Sequence, residues 1–168
     1  KSIVILGAGT IGLMVLQACK SLGATDITVV DVMDKRLDLA KELGASRTIN
    51  GAKEDTVALL RSEELFGDHG VELVFECAGS TFTANQAVQI VARGGKIMMV
   101  GTQSKPVPID FLKINREVTI QTSFRYCNNY PQTIEAIRSG KFNVKDMVTH
   151  VYDYKDVQQA FMDAIDPE

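Results

Sequence analysis

The run Ser2-Ile3-Val4-Ile5-Leu6-Gly7-Ala8-Gly9-Thr10-Ile11-Gly12-Leu13-Met14-Val15 decides how this chain is read. Its first part is apolar and β-branched and stops at a glycine, the pattern of a short strand buried on both faces. From Thr10 the period changes. Ile11, Met14, Val15, Ala18, Cys19 and Leu22 recur at helical spacing, and Gly23 closes the segment as a C-terminal cap. Between strand and helix stand Gly7, Gly9 and Gly12, each with its own physical task. Gly7 permits the tight turn, Gly9 lets a phosphate approach the backbone, and Gly12 lets the helix pack against the strand. The amides near Thr10 and Ile11 then face an anion at the positive end of the helix.

Outward from this unit, strands and helices alternate. Strands are expected at 27–31, 47–49, 72–77, 96–100 and 118–122. Helices are expected at 34–43, 53–65 and 83–92, with Gly44 after the first and Gly94-Gly95 after the last. Such alternation implies parallel pairing through right-handed crossovers. The expected fold is α/β, a doubly wound parallel sheet of the Rossmann type with a C-terminal helical tail. Residues 1–142 form its dinucleotide-binding domain and 143–168 the tail. Ile134 and Ile137 suggest one late helix; Val157, Ala160, Phe161, Ala164 and Ile165 suggest another.

Asp31 ends the second strand, roughly 20 residues beyond the loop, where an acid accepts hydrogen bonds from adenosine ribose hydroxyls. Facing a 2′-phosphate it would meet a repulsion of up to about 4 kcal/mol per charge pair. The cofactor is therefore expected to be NAD. Arg36 could compensate a 2′-phosphate or lie beside that ribose, and Asp31 favours the second; it reads otherwise as a solvated side chain on a helix face, and Asp34 as the N-cap of its helix. Ligands of open α/β sheets lie beyond the carboxyl ends of the strands. Here those ends are Cys77-Ala78-Gly79, Val100-Gly101-Thr102 and Ser123-Phe124-Arg125. Small residues there admit a flat nicotinamide, although glycine after a strand is also routine turn chemistry. Cys77 reads as a small hydrophobe in a buried strand rather than as a nucleophile or ligand.

Composition narrows the function classes. The 168 residues are 45% hydrophobic, enough to bury a core, and the formal net charge is −3 without a basic block, which disfavours nucleic acid as the main partner. No apolar run approaches the ~20 residues of a membrane span, and no signal peptide is read. Cys19, Cys77 and Cys127 form neither a CxxC pair nor a disulfide framework, so a reduced, cytoplasmic setting is expected. His69 lies in a polar turn and His150 has no partner at metal spacing. The opening Lys1-Ser2, directly before a strand and without Met, reads as the start of an excised piece of a longer protein.

Taken in order, Gly7 to Gly12, Asp31 with Arg36, Phe75-Glu76-Cys77-Ala78-Gly79, Val100-Gly101, Phe124-Arg125-Tyr126-Cys127-Asn128 and Val148-Thr149-His150 resemble the zinc-dependent medium-chain dehydrogenases. The sorbitol or polyol branch is the nearest. The resemblance implies that Ile11, Asp31 and Arg36 contact the pyrophosphate and adenosine end of NAD. It implies that Val100, Gly101, Thr102, Ser123, Phe124 and Arg125 lie near the nicotinamide, and that Arg125 and Tyr126 hydrogen-bond a polyol or other secondary alcohol. It further implies a parent enzyme that is a dimer or tetramer, with Val107-Pro108-Ile109 and the strand near Val118 as candidate contacts. The family's catalytic zinc ligands belong to an N-terminal domain outside this chain, so the chain alone is expected to bind NAD without catalysis.

Three other readings share the loop. An NAD-sensing regulatory module explains the glycines and Asp31 but not Phe124-Arg125-Tyr126. A methyltransferase would bind S-adenosylmethionine instead. Threonine and sugar-phosphate dehydrogenases of the same superfamily stay open, since substrate choice rests mostly on the other domain.

Overall fold

In the computed structural model, which describes residues 1–114 and 117–165, six strands form one parallel sheet. The strands are β1 (Ser2–Leu6), β2 (Asp26–Asp31), β3 (Arg47–Asn50), β4 (Val71–Glu76), β5 (Val91–Met99) and β6 (Thr119–Thr122), in the order β3-β2-β1-β4-β5-β6. The chain winds outward from β1 to one edge, returns to β4, and winds to the other edge. This is the doubly wound arrangement the alternating pattern predicts, with its crevice between the carboxyl ends of β1 and β4.

The helices are α1 (Thr10–Ser21), α2 (Asp34–Glu42), α3 (Thr56–Leu60), α4 (Thr81–Ile90), α5 (Tyr130–Arg138) and α6 (Val157–Ile165). Strand β1 shows why both sheet faces are covered. Ile3 and Ile5 join one buried cluster with Leu13 and Leu16 of α1 and Leu37 of α2. Val4 and Leu6 point the other way, into a cluster with Leu60 of α3 and Ala87, Val88 and Ile90 of α4. Side chains alternate along a strand, so a continuous apolar run requires a layer on each side.

Several boundaries differ from the sequence reading. The helix expected over 53–65 is a single turn, Thr56–Leu60. Asp55 caps it by accepting from the Val57 and Ala58 amides, each at 3.1 Å. It ends at Arg61, after which the backbone runs into turns, Ser62 bonding Leu59 at 3.1 Å and Gly67 bonding Ser62 at 2.9 Å. The Arg61 guanidinium donates to the main-chain oxygens of Gln89 at 2.9 Å and Asp68 at 3.2 Å. Asp34 is not the N-cap of α2. That position is Met33, and the Asp34 carboxylate instead accepts from Asn50 Nδ2 at 2.7 Å and Lys53 Nζ at 2.6 Å. These two donors hold its carboxyl below the usual aspartate range.

Strand β5 follows α4 without a loop. It bridges Val71 at Val91 and resumes full pairing where Lys96 meets Leu73, with Gly94 at φ +66° in the irregular stretch between. Beyond β6 the chain leaves the sheet, and α5 and α6 bury none of their residues. Residues 166–168 of the expected tail lie outside the described residues. Asn143 is tied back to α1. Its amide donates to Gln17 Oε1 at 2.6 Å and its carbonyl accepts from Gln17 Nε2 at 3.2 Å.

Candidate functional site

The crevice is built on the glycine loop. Gly7 adopts φ +103° and its amide donates to the Val30 carbonyl at 2.8 Å, fastening the turn to β2. A Cβ on Gly7 would lie 2.9 Å from the Ala78 nitrogen, and one on Gly12 only 1.8 Å from the Gly7 oxygen, so both glycines are demanded by the chain's own packing. Gly9 differs. A Cβ there meets nothing within 4 Å, although Gly9 is the N-cap of α1 and borders the crevice. No side chain caps α1 and no acid stands in its first turn. Its first backbone bond runs from Leu13 to Gly9, so among the described residues no protein acceptor serves the amides of Thr10, Ile11 and Gly12. Unserved amides at the positive end of a helix bind anions.

Asp31 is 9% exposed at the end of β2. Its Oδ2 accepts from the Ala8 amide at 2.7 Å, and its Oδ1 from Val32 at 2.8 Å and Met33 at 3.0 Å. A carboxylate offers about four acceptor positions, so one remains. Arg36 Nη1 stands 3.8 Å from Oδ2. The Arg36 side chain is 45% exposed, so it stands beside the acid and on a solvated helix face at once. Gly7, Gly9, Asp31, Arg36, Cys77 and Ala78 share a cavity of about 430 Å³.

Ile11, Val100, Gly101, Thr102, Ser123, Phe124 and Arg125 line a second cavity of about 400 Å³, which also touches Cys77 and Ala78. The β4–α4 turn is thus the wall between the two. Tyr126 is set apart: it is 64% exposed and packs edge-on against Tyr130, with ring centres 5.0 Å apart. The Arg125 guanidinium covers the Phe124 ring at 5.1 Å. Gly79 and Gly101 meet each other rather than open space. A Cβ on Gly101 would lie 2.3 Å from the Gly79 nitrogen, and one on Gly79 2.6 Å from the Thr102 oxygen.

What holds this wall in place is a residue the sequence reading quoted without assigning a task. Glu76 is fully buried. Its Oε1 accepts from the amides of Ala78 at 3.0 Å and Gly79 at 2.8 Å and from the Thr83 hydroxyl at 2.7 Å, and its Oε2 accepts from Gln103 Nε2 at 3.1 Å. An acid closing the apolar run Leu73-Val74-Phe75 was the available signal. The α4 side of the first cavity, Ser80, Phe82, Thr83 and Gln86, was also missed, because these residues form no motif that points to a ligand.

Cys77 lies one residue past β4 and is partly buried, so it is not the strand interior residue expected. Burial, then the neighbouring Glu76 charge, then Cys19, push its thiol up to about 12. A thiol, not a thiolate, is present near pH 8, and thiolate is the reactive form. Iodoacetamide at pH 8 is therefore expected to modify exposed Cys127 first and leave Cys77 intact until denaturant is added, as peptide mass spectrometry would show. Early loss of Cys77 would contradict this environment.

Among the described residues no group of three or more His, Cys, Asp or Glu could hold a metal ion, so zinc does not fit here. His150 pairs with Thr149 Oγ1 at 3.0 Å and stacks on Tyr152. No helix among the described residues is long and apolar enough to cross a membrane.

Comparison with known proteins agrees with this architecture. A family model described as zinc-binding dehydrogenase matches residues 10–139. The chain is 64% identical over 165 residues to an uncharacterized zinc-type alcohol dehydrogenase-like protein of Escherichia coli K12, covering 98% of this chain and 47% of that protein. It is 37% identical over 167 residues to the sorbitol dehydrogenase of Bacillus subtilis, covering 98% of this chain and 46% of that one. A crystal structure of an E. coli oxidoreductase/dehydrogenase of unknown specificity superposes with a TM-score of 0.93 at 63% identity, over 98% of this chain and 47% of that chain. The chain spans about half the length of the curated relatives it matches.

Proposed function

Because this chain belongs to the zinc-binding dehydrogenase family, we propose that it is the NAD-binding part of a polyol dehydrogenase that oxidises a secondary alcohol to a ketone. The observation that carries the reading is the set of three unserved amides at the start of α1, next to Gly9, which meets open space and shares one cavity with Asp31. Diphosphate suits the amides; a ribose hydroxyl suits the remaining acceptor position of Asp31. The residues fit the cofactor.

In this reading Gly7, Gly9, Thr10, Ile11 and Gly12 hold the pyrophosphate, while Asp31 and Arg36 hold the adenosine ribose. Cys77, Ala78 and Gly79 form the wall between the halves. Val100, Gly101, Thr102, Ser123, Phe124 and Arg125 receive the nicotinamide, and Arg125 with Tyr126 orients the alcohol. Bound NAD supplies the hydride acceptor; this chain supplies position and electrostatics. No step is assigned to a metal in this chain. Residues 1–142 are the cofactor domain and 143–168 a tail returning toward the catalytic part of the parent. We place the protein in the cytoplasm, as a dimer or tetramer joined through Val107-Pro108-Ile109 and β6.

Replacing Asp31 with Ala tests the assignment. NAD binding should weaken by about 1.5–3 kcal/mol, the scale of hydrogen bonds to a charged group. Calorimetry giving the wild-type affinity would count against it.

A further inference from the structure

We propose that Gln86 reads the adenine ring of the dinucleotide through its side-chain amide, which makes it a specificity-determining residue of the cofactor site. The inference rests on the cofactor reading above.

Gln86 sits on α4 and is 6% exposed, yet among the described residues its amide has no hydrogen-bond partner. The long polar side chains buried elsewhere are engaged: Gln17 with Asn143, Asn50 with Asp34, and Glu76 with four donors. Two polar atoms, Thr56 Oγ1 and Ser62 Oγ, are sealed away from solvent without a partner, and neither amide atom of Gln86 is sealed in this way. The Gln86 amide therefore opens into the cavity it lines, the one that holds Gly9 and Asp31. A ligand of matching donor and acceptor pattern exchanges the water on this amide for directed hydrogen bonds in a largely dry pocket.

The rest of the cavity says which ligand. Val32 and Phe82 are large apolar side chains left 63% and 68% exposed on its lining, suited to a flat ring. Thr83 is committed to Glu76 and Ser80, and Asp31 with Arg36 is taken by the ribose in the reading above. The ring must lie at the adenosine end, since Asp31 shares the space. An amide presents a donor and an acceptor side by side, the complement of the adenine amino group and its adjacent ring nitrogen.

The test uses the full chain and two ligands, ADP and purine riboside diphosphate, which has hydrogen in place of the 6-amino group. Wild type should bind ADP about three- to tenfold more tightly, the worth of one neutral hydrogen bond. Gln86→Leu, of similar size, should bind the two about equally and at the weaker level. The wild-type comparison needs no variant and stands even if the leucine protein folds poorly. A wild type without preference, or a leucine variant that keeps it, overturns the role of Gln86 and leaves the cofactor reading standing. Failure of the wild type to bind either ligand overturns both.

Discussion

Replacing Gly9 with Val should lower NAD affinity at least about a hundredfold while leaving a folded protein. The loop amides make charge-assisted bonds to phosphate, each worth about 1.5–3 kcal/mol. A branched side chain that displaces the pyrophosphate from two of them removes more than the roughly 2.7 kcal/mol that a hundredfold represents. The fold itself has room. A Cβ at Gly9 meets nothing within 4 Å, and the residue sits at φ −69° and ψ −177°, a conformation open to any amino acid. Valine is a poor N-cap, so a loss of about 1 kcal/mol in stability is expected. Gly12→Ala is the opposite control. Its Cβ would lie 1.8 Å from the Gly7 oxygen, so the loop or the helix must move, and urea denaturation should show a loss of about 3 kcal/mol or more. Normal NAD binding by a folded Gly9→Val protein would end the loop reading.

Glu76→Leu should be the most damaging substitution outside the loop. It removes the common acceptor of two amides, a hydroxyl and a side-chain amide in a site with no access to water. Each buried donor left unpaired costs about 1–3 kcal/mol, so a loss of about 4 kcal/mol or more is expected even after some donors find other partners. Such a loss is a large part of a domain's total stability. Glu76→Gln should be much milder, because its amide oxygen can serve the Ala78, Gly79 and Thr83 donors while Gln103 turns its own oxygen to the new NH2. Chemical denaturation of the two variants provides the check. Similar losses in both would mean that shape, rather than hydrogen-bond acceptance, is what Glu76 contributes.

The two substitutions mark how far sequence reading reaches. GxGxxG after an apolar strand is local chemistry, and each glycine's task follows from the turn that its neighbours force. Gly79 and Gly101 were equally visible as letters, and small residues at strand ends suggested room for a ring. The structure adds a different demand on them. Their backbones pass so close that a side chain on either would strike the other's turn. That closeness depends on the register of β4 against β5, which no short window contains.

Asp34 carries the same lesson at smaller scale. An acid at the start of a helix is a natural cap, but Asn50 and Lys53 approach from the end of β3 and the turn after it and take the carboxylate. The five-residue α3 is another case. Its apolar spacing permitted a longer helix, but the backbone turns after Leu60, and the Arg61 side chain meets carbonyls of α4 and β5 that are remote in sequence.

From its residues alone, the chain declared an α/β fold wound about a phosphate-type turn with an acid on the next strand. Period, glycine spacing and β-branching act over a few neighbours, and those neighbours are adjacent in the chain. Tertiary structure alone decided that Glu76 would knit the crevice wall, that α4 would face the cavity, and that Gln86 would lie there with no partner among the described residues. Those facts arise where segments far apart in sequence meet, and close packing and hydrogen-bond satisfaction act on the assembled surface, not along the string.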